Sequence, residues 1–452
     1  MVPTLPSFPN PLSAVHNSSF DVVVCGAGSA GIAAAVGAAR SGVQTLLIKR
    51  YGFPGGTNTA AMVHSLDAMK NCRDCRRFVV AGVAGELIAE LDRLHGLAPD
   101  DNPPETMTVH PEYLKIAADR LLVRAGVHVL YHALAISAVV EDGRLVAVEV
   151  ALRDGRAVVR AKAFVDCTGD ADLAFLAGAP YRLDGELQAL TLWFRLGNVA
   201  PGAGWRQLEQ DCRQALHAAF CEGEAPVFGG PWVIRVAPGE ITLNCVRVRA
   251  NPVNSLELSR AEIEAREQML AIYHALRKRV RDLRSSYILS AATQLHVRES
   301  RKIVGEYVLE ESDVMNGASF PDAIAVGAWP VDIHPTDGFV GVHPHKENPP
   351  EPYEIPYRCL VPLAVEGLLV AGRPISTTHR AHGSTRVQAT SMATGHAAGV
   401  AAALSARRGT ALRMLDPVLL RSTLIEQGAI VSRDRQLDVE PGTAHPFAAL
   451  RR

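Results

Sequence analysis

The order of apolar and polar residues predicts a strand, a glycine turn, a helix and a second strand near the start of the chain. Residues 20–25 form a continuous apolar run, which is typical of a strand buried on both faces. Residues 26–31 read G-A-G-S-A-G, and the alanine-rich segment 32–40 after them has helical composition. Gly42 marks the end of this helix, and residues 44–48 predict the second strand. This order is typical of the first unit of a dinucleotide-binding fold.

The residues of the glycine turn have separate physical roles. Gly26 permits the tight turn, Gly28 lets the backbone approach a diphosphate, and Gly31 lets the helix pack closely on the strand. Ser29 and Ala30 lie at the start of the helix, where unpaired N–H groups and the helix dipole favour the charge of the diphosphate. The setting between a strand and a helix therefore makes this motif specific for a dinucleotide.

The end of the second strand departs from the usual dinucleotide-binding pattern. An acidic residue there normally accepts hydrogen bonds from the adenosine ribose hydroxyls. This chain has Lys49 followed by Arg50, and a lysine ammonium group donates hydrogen bonds but accepts none. Two interpretations stay open. Either the two cations contact the 2′-phosphate of NADP, or backbone and water meet the hydroxyls while Lys49 points to solvent.

The rest of the first 179 residues predicts further elements of the same domain. Residues 111–125 predict a helix, and residues 127–131 predict the strand after it. A small antiparallel insertion follows, with predicted strands at 136–141, 145–152 and 158–161. A further apolar strand over 163–166 leads back into the sheet and ends at a Thr-Gly-Asp turn.

Residues 180–354 predict a separate substrate domain, since a dinucleotide-binding fold does not need them. They include predicted strands at 191–196 and 241–248, and a charged helix at 259–284 whose capping box is Ser259 and Glu262. Residues 387–406 predict a buried helix of small residues rather than a membrane span. The predicted organisation is a loose tail over 1–19, a dinucleotide-binding domain over 20–179 and 355–435, the substrate domain over 180–354, and a C-terminal tail over 436–452.

Several segments together resemble the FAD-dependent oxidoreductase family with the glutathione-reductase-type nucleotide fold. They are the glycine turn, Gly55-Gly56-Thr57, and residues 165–172, 298–307, 355–362 and 367–373. The resemblance covers residues 20–428. It implies an α/β fold class: a Rossmann-like FAD-binding domain, with a parallel sheet and helices, and an α+β substrate domain. It also implies an enzyme that holds FAD and transfers a hydride between a small organic substrate and flavin N5.

The resemblance further implies which residues hold the FAD. In addition to the glycine turn, they are Lys49, Arg50, Gly55, Gly56, Thr57, Val129, Thr168, Gly169, Asp170, Gly372, Arg373, Arg386 and Val387. Arg373 departs from the family pattern, because many relatives carry Asp after the glycine. The helix that starts near Arg386 is implied to point its N-terminus at the flavin pyrimidine, where it would stabilise the negative charge of the reduced ring.

The candidate catalytic residues are three histidines and an arginine. His379 and His382 lie in the predicted polar loop before the flavin-facing helix, and a histidine there could accept a proton while the flavin accepts a hydride. His334 alternates with Asp332 on one face of a strand-like segment, and Arg298 begins the segment 298–307. The alternative role for the residues before the helix is to anchor the cofactor, and for the segment with Asp332 it is to form a lid loop.

Two rival functions stay open at this point. Cys72 and Cys75 form a C-x-x-C pair, which suggests a thiol–disulfide oxidoreductase. Lys49, in place of the ribose-binding acid, suggests a scaffold protein that keeps the fold without catalysis. His343 and His345 are spaced like metal ligands, but the sequence places no third ligand, so no metal is predicted.

Composition and charge narrow the possible partners. The 452 residues include 46 Lys and Arg against 47 Asp and Glu, a balance that argues against a nucleic-acid partner. Eight cysteines are too few for a disulfide framework, and the first residues lack the pattern of a signal peptide. These features predict a cytoplasmic protein with no membrane span, and a homodimer is the default expectation.

The chain lacks a second G-x-G-x-x-G motif between a strand and a helix. We therefore predict no nicotinamide domain. Electrons are expected to come from a small-molecule substrate and to leave to an external acceptor, which is oxygen, a quinone or a partner protein.

Overall fold

A computed structural model describes residues 19–98, 102–202, 204–336, 349–439 and 445–447. The predicted N-terminal tail lies almost entirely outside the described residues. Helices in the described ranges are α1 (Ser29–Arg40), α2 (Val83–Arg93), α3 (Pro111–Arg124), α4 (Asp172–Leu176), α5 (Trp205–Cys221), α6 (Ser255–Arg279), α7 (Glu311–Met315), α8 (His379–Thr385), α9 (Gln388–Arg408) and α10 (Pro417–Glu426).

The strands are shorter on average than the helices. They are β1 (Ser19–Cys25), β2 (Thr45–Lys49), β3 (Ser65–Asp67), β4 (Arg77–Phe78), β5 (Thr106–Thr108), β6 (His128–Tyr131), β7 (Leu134–Glu141), β8 (Arg144–Leu152), β9 (Gly155–Asp166), β10 (Tyr181–Arg182), β11 (Phe194–Gly197), β12 (Phe228–Ala237), β13 (Glu240–Val246), β14 (Tyr287–Ala291), β15 (Lys302–Ile303), β16 (Ala323–Gly327), β17 (Tyr353–Pro356), β18 (Leu368–Val370) and β19 (Leu437–Asp438).

A parallel sheet forms the centre of the first domain, which confirms the predicted α/β Rossmann-like fold. Its parallel strands lie in the order β6, β2, β1, β9 and β18. Cys25 pairs with Asp166, and Asp166 pairs with Val370, so β1, β9 and β18 end at the same level. The turns that follow these strands therefore meet at one edge of the sheet, where ligands of this fold bind.

Strand β9 joins the parallel sheet to the antiparallel insertion. Its residues 155–160 pair with β8, and its residues 164–166 pair in parallel with β18. The sequence predicted two strands, at 158–161 and 163–166. The structure has one continuous strand instead, because nothing between the two halves interrupts the extended backbone.

Helix α9 packs on α1 with almost no space between the two backbones. A Cβ atom on Gly395 would lie 2.1 Å from the carbonyl oxygen of Ala30, and one on Gly399 would lie 1.9 Å from that of Ala34. These contacts explain the small residues of the predicted buried helix, which begins at Gln388, two residues after Arg386. No helix in the described ranges is both long and apolar enough to cross a membrane.

A second domain contains its own sheet and hydrophobic core. The antiparallel strands lie in the order β12, β13, β11 and β14, and α5 and α6 cover one face of this sheet. The opposite face carries Trp193, Trp232 and Asn244 toward the first domain. His64 of the first domain and Thr242 of β13 lie 2.9 Å apart, Nδ1 to Oγ1, in a buried contact between the domains.

Two local predictions are wrong. The charged helix is α6, which starts at Ser255 rather than Ser259, because Asn254 accepts hydrogen bonds from the N–H groups of Leu256 and Glu257. Ser259 bonds back to the carbonyl oxygen of Ser255 within the helix, so it caps nothing. The predicted polar loop at 378–386 contains the short helix α8, which is capped by Thr378.

The hydrophobic cores bear on the predicted domain boundaries. Residues 190–295 form the core of the second domain, whereas the apolar residues of α7, β16 and β17 pack into the core that contains α1 and α9. The boundary at residue 354 stays a prediction. This packing favours an earlier return to the first domain, near residue 300.

Candidate active site

A cavity of about 1130 Å³ extends from the glycine turn of the first domain to the sheet of the second domain. Its first end is lined by the turns after β1, β2 and β9, its middle by the N-terminus of α9, and its second end by Trp193 and Trp232. The cavity therefore lies at the carboxyl edge of the parallel sheet and between the two domains. Both positions are typical of a ligand site.

The three glycines of the turn differ in what surrounds them. Gly26 has φ +100°, and a Cβ atom there would lie 2.2 Å from the carbonyl oxygen of Cys167. A Cβ atom on Gly31 would lie 1.7 Å from the carbonyl oxygen of Gly26. At Gly28 a Cβ atom would meet only the Cα atom of Gly56, at 3.9 Å, and it would lie at the cavity wall. Packing therefore requires Gly26 and Gly31, whereas Gly28 keeps space open for a ligand.

The N-terminus of α1 is free to bind an anion. Within the described chain, no side chain caps this helix and its first turn has no acidic residue. Ser29 and Ala30 line the cavity beside Gly28, and Ser29 donates a hydrogen bond to Asn58, 3.3 Å away. The unpaired N–H groups of the first turn are therefore available to a diphosphate.

The second glycine segment packs against the turn. Gly55 has φ +104°, and its N–H donates a 2.8 Å hydrogen bond to the carbonyl oxygen of Ala27. A Cβ atom on Gly56 would lie 2.7 Å from the Cα atom of Gly28, so the two backbones almost touch. Gly56 and Thr57 line the cavity. Three predicted cofactor residues are not among the described residues that line the cavity. They are Gly31, Gly55 and Val129.

Lys49 and Arg50 line the cavity where a ribose-binding acid was expected. Burial and the neighbouring Arg50 lower the pKa of Lys49 to about 8. Arg50 donates a 2.7 Å hydrogen bond to the side chain of Gln294. The ammonium group of Lys49 lies 5.0 Å from the ring centre of Tyr51, and both interpretations of this residue stay predictions.

Arg373 and Asp170 form an ion pair over the adjacent part of the cavity. The Arg373 guanidinium nitrogen lies 2.6 Å from the carboxylate of Asp170, which also accepts a 2.7 Å hydrogen bond from Ser300. Thr168, Gly169 and Gly372 line the cavity beside this pair. The predicted residues of the turns after β9 and β18 are thus brought together, and Arg373 pairs with a carboxylate of the protein, that of Asp170.

The N-terminus of α9 meets the middle of the cavity. Val387 is its N-cap residue, and in the described structure no side chain caps it and no acidic residue lies in its first turn. Arg386, Val387 and Gln388 all line the cavity. The helix dipole therefore places positive potential at the junction of the two domains.

Three arginines lie at the second end of the cavity. Arg298, which is 1% exposed, donates 2.7 Å and 2.6 Å hydrogen bonds to the carbonyl oxygen of Ala189 and the hydroxyl of Thr191. Arg247 lies behind Thr191 and donates to it at 2.8 Å. Arg386 donates a 2.8 Å hydrogen bond to the carboxylate of Asp332.

His334 is held as a neutral ring between two charged groups. Arg247 can only donate, so Nδ1 of His334, 3.0 Å from it, accepts. Nε2 then carries the proton and donates to the Asp332 carboxylate, 3.0 Å away. Burial and the charge of Arg298 lower the pKa of His334 well below its usual value. Asp332 and His334 thus form a hydrogen-bonded pair, and both ring nitrogens of His334 are already hydrogen-bonded.

His379 and His382 are not among the described residues that line the cavity. His382 is buried, and its Nε2 donates a 3.0 Å hydrogen bond to the backbone oxygen of Arg298. Burial lowers its pKa to about 3. His379 bonds instead to Glu299, which raises the pKa of His379. Both histidines therefore hold the backbone segment that carries Arg298.

Two residues that line the cavity were not predicted from the sequence. Asp67 of β3 lines the cavity, and burial raises its pKa to about 7. Its carboxylate accepts a 3.1 Å hydrogen bond from Ser65, and the charges of Asp332 and Arg386 both act on it. His296 also lines the cavity, and its Nδ1 has no partner among the described residues. Neither residue lies in a recognisable motif.

Cys72 and Cys75 both line the cavity and are partly buried. Burial and Glu105 raise the pKa of the Cys75 thiol. A raised pKa lowers the thiolate fraction, which is the reactive form of a redox cysteine.

Asp184, Glu299 and His379 come close enough together to resemble a set of metal ligands. The ammonium group of Lys302 lies 2.5 Å from both carboxylates and supplies the positive charge between them. His343 and His345 lie outside the described residues.

Comparisons with known proteins agree with this geometry. A family model described as FAD dependent oxidoreductase matches residues 21–424. No curated protein has a sequence that matches this chain.

Several solved structures are similar to the chain at low sequence identity. A geranylgeranyl bacteriochlorophyll reductase-like protein from Thermoplasma acidophilum is 13% identical, with a TM-score of 0.49 over 91% of this chain and 84% of that one. The anhydrotetracycline hydroxylase OxyS from Streptomyces rimosus is 12% identical, with a TM-score of 0.45 over 90% and 66%. The myxobacterial chondrochloren halogenase CndH is 13% identical, with a TM-score of 0.45 over 90% and 79%.

Proposed function

The chain belongs to the FAD-dependent oxidoreductase family, and we propose that it transfers a hydride between a small organic substrate and N5 of the flavin. The observation that carries the proposal is the single cavity that runs from Gly28 to the sheet of the second domain. One end has the features of a diphosphate site, and the other has polar side chains for a substrate. Membership of a family of oxidoreductases favours this function over the scaffold alternative.

The residues that would hold the FAD are those that line the first part of the cavity. The free N–H groups at the start of α1 and the open space at Gly28 suit a diphosphate. The uncapped N-terminus of α9 suits the pyrimidine end of the flavin. When bound, FAD supplies the two-electron acceptor for the reaction. The final electron acceptor, which is oxygen, a quinone or a protein, stays a prediction. The homodimer also stays a prediction.

We propose Asp67 as the residue that moves a proton, because it lines the cavity and burial raises its pKa to about 7. A hydride that leaves a C–H bond next to a hydroxyl or amine must be accompanied by loss of the O–H or N–H proton. An acid with a pKa of about 7 is half ionised at neutral pH, which suits a general base. His334 is less suitable, because both of its ring nitrogens are engaged by Arg247 and Asp332. We assign the proton-accepting atom to a carboxylate oxygen of Asp67.

The purified protein loaded with FAD tests this function directly. It is expected to be yellow, to hold about one FAD per chain and to lose its visible absorbance when reduced anaerobically by dithionite. The measurement is the absorbance spectrum of the desalted protein before and after reduction. A protein that stays colourless and fails to take up added FAD would contradict the proposed function.

Replacing both Cys72 and Cys75 with Ser separates the proposal from its thiol–disulfide rival. The double variant is expected to keep its rate of flavin reduction within about twofold of the wild type, because the raised pKa of Cys75 leaves little thiolate. The measurement is stopped-flow absorbance under anaerobic conditions with the organic substrate. Complete loss of turnover, with FAD still bound, would instead support the thiol mechanism.

A further inference from the structure

Three arginines are buried together at the second end of the cavity, and the carboxylate bonded to this group is that of Asp332. All three are nearly inaccessible to solvent. Arg247 is 4% exposed and Arg298 is 1% exposed, and the side chain of Arg386 is 7% exposed. Among the described residues, Asp332 supplies the carboxylate that is hydrogen-bonded to this group, and its partner is Arg386. Burying unpaired charge is costly, so such a cluster normally has an anionic partner.

The histidines beside the arginines add no charge of either sign. His334 is a neutral ring between Arg247 and Asp332. His296 is buried, and burial with the charge of Arg298 lowers its pKa well below the usual value. Burial and the positive charges of Arg247 and Arg386 also lower the pKa of Arg298. Asp67 adds only a fraction of a negative charge near neutral pH.

Several donors at this end lack acceptors among the described residues. They are Nε of Arg386, Nε1 of Trp193 and Nε1 of Trp329. Nδ1 of His296 is a fourth such donor when the proton is on that nitrogen. All four residues line the cavity. Arg298 uses Nη1 for two protein oxygens, whereas its Nη2 makes only a 3.4 Å contact with Asn244. The Nη2 side of Arg298 is therefore the part of the guanidinium group left for a ligand.

The cofactor does not account for this charge. The diphosphate of FAD is its permanently charged part, and the site suited to it is at the other end of the cavity, beside Gly28. The oxidised flavin ring is neutral, and the uncapped N-terminus of α9 already suits the charge of the reduced ring. A second, separate anion is needed.

We propose that Arg298 and Arg386 bind a carboxylate of the substrate, which is therefore a small organic acid. This inference rests on the proposed function, because it names the substrate class of the same cavity. A planar guanidinium group and a carboxylate form two parallel hydrogen bonds, and such charged pairs fix the orientation of a ligand. Arg247 acts indirectly, because it holds Thr191 and His334 in place through hydrogen bonds. The aromatic walls of Trp193 and Trp329 leave an apolar surface for the rest of the molecule.

Pairs of probes that differ only in charge test the inference on the FAD-loaded protein. The probes are acetate, succinate and benzoate, each compared with its neutral amide, and the measurement is the dissociation constant from calorimetry and from the change in the flavin spectrum. At least one carboxylate is expected to bind about 10- to 100-fold more tightly than its amide, because a hydrogen-bonded charge is lost in the amide. Equal affinities for all three pairs would overturn the inference.

Arg298→Met assigns the effect to the proposed residue. It is expected to weaken the preferred carboxylate by about 10- to 100-fold and to change the affinity for the amide by less than about threefold. Arg298→Lys, which keeps the positive charge and loses the planar group, is the second variant if the first does not fold, and a loss of about tenfold is expected. Arg281→Met, at an exposed position of the second domain, is the control and should leave both affinities unchanged.

The outcomes separate this inference from the proposed function. A yellow protein that prefers no carboxylate would overturn the inference and leave the flavin function standing. A colourless protein that takes up no FAD would contradict the proposed function itself. Binding of inorganic phosphate that depends on Arg298, with no binding of any carboxylate, would also overturn the inference and would assign the arginines to a phosphate ester.

Discussion

Asp67→Asn is expected to lower the rate of flavin reduction by the organic substrate about 10²- to 10⁴-fold, which is the usual contribution of a general base. Asparagine has the same shape as aspartate and can still accept the hydrogen bond from Ser65. It cannot take a proton from the substrate. The measurement is the rate of anaerobic bleaching at saturating substrate, with the bound FAD quantified in the same sample.

The pH dependence of the wild type should carry the same signature. Burial raises the pKa of Asp67 to about 7, so its carboxylate is protonated and inactive as a base below that pH. The rate is therefore expected to rise with pH through about 7 and to level off above it. The affinity for benzoate should fall over the same range, because Asp67 becomes negative close to Arg386. Both pH dependences should disappear in Asp67→Asn.

Asp21→Asn is the matched control for this substitution. Asp21 lies near the start of β1, at the opposite end of the strand from the glycine turn, and forms an ion pair with Lys162. Its replacement should leave the rate and the pH profile unchanged. An Asp67→Asn variant with full activity and the wild-type pH profile would show that another group accepts the proton.

The dinucleotide-binding part of the fold could be predicted from the sequence because its signals are local. The apolar run of β1, the glycine turn and the start of α1 are adjacent in the chain, and Gly31 is required by its contact with Gly26 within that unit. The edge of the sheet then brings the turns after β9 and β18 to the same place, because parallel strands in register end together. Most predicted cofactor residues therefore line one cavity.

The second end of the cavity could be predicted only in part, because its residues come from distant segments. The sequence indicated Arg298, His334 and Arg386, but it did not indicate Arg247, which follows β13, or Asp67, which is in a strand of three residues that carries no pattern. Only the contact between the two domains brings these side chains together. His379 and His382 show the opposite case. They are close in sequence to the flavin-facing helix, but α8 directs them to Glu299 and to the backbone of Arg298, away from the cavity lining.

Gly28→Val should separate cofactor binding from folding. Gly28 has φ −80° and ψ −167°, which a valine can adopt, and a Cβ atom there would contact only Gly56, at an ordinary distance. The valine side chain would project where a diphosphate must approach the backbone. We expect the fold to be kept and the affinity for FAD to fall about 100-fold or more, because the charged hydrogen bonds of the turn are lost.

Gly185→Val is the control, since Gly185 is exposed and a Cβ atom there would meet no described atom within 4 Å. The deciding measurement is the titration of FAD into both variants and the wild type, followed by flavin fluorescence, with circular dichroism to establish that each is folded. The cavity account predicts tight binding by the wild type and Gly185→Val, and almost none by a folded Gly28→Val. Wild-type affinity in Gly28→Val would place the diphosphate elsewhere and contradict the account.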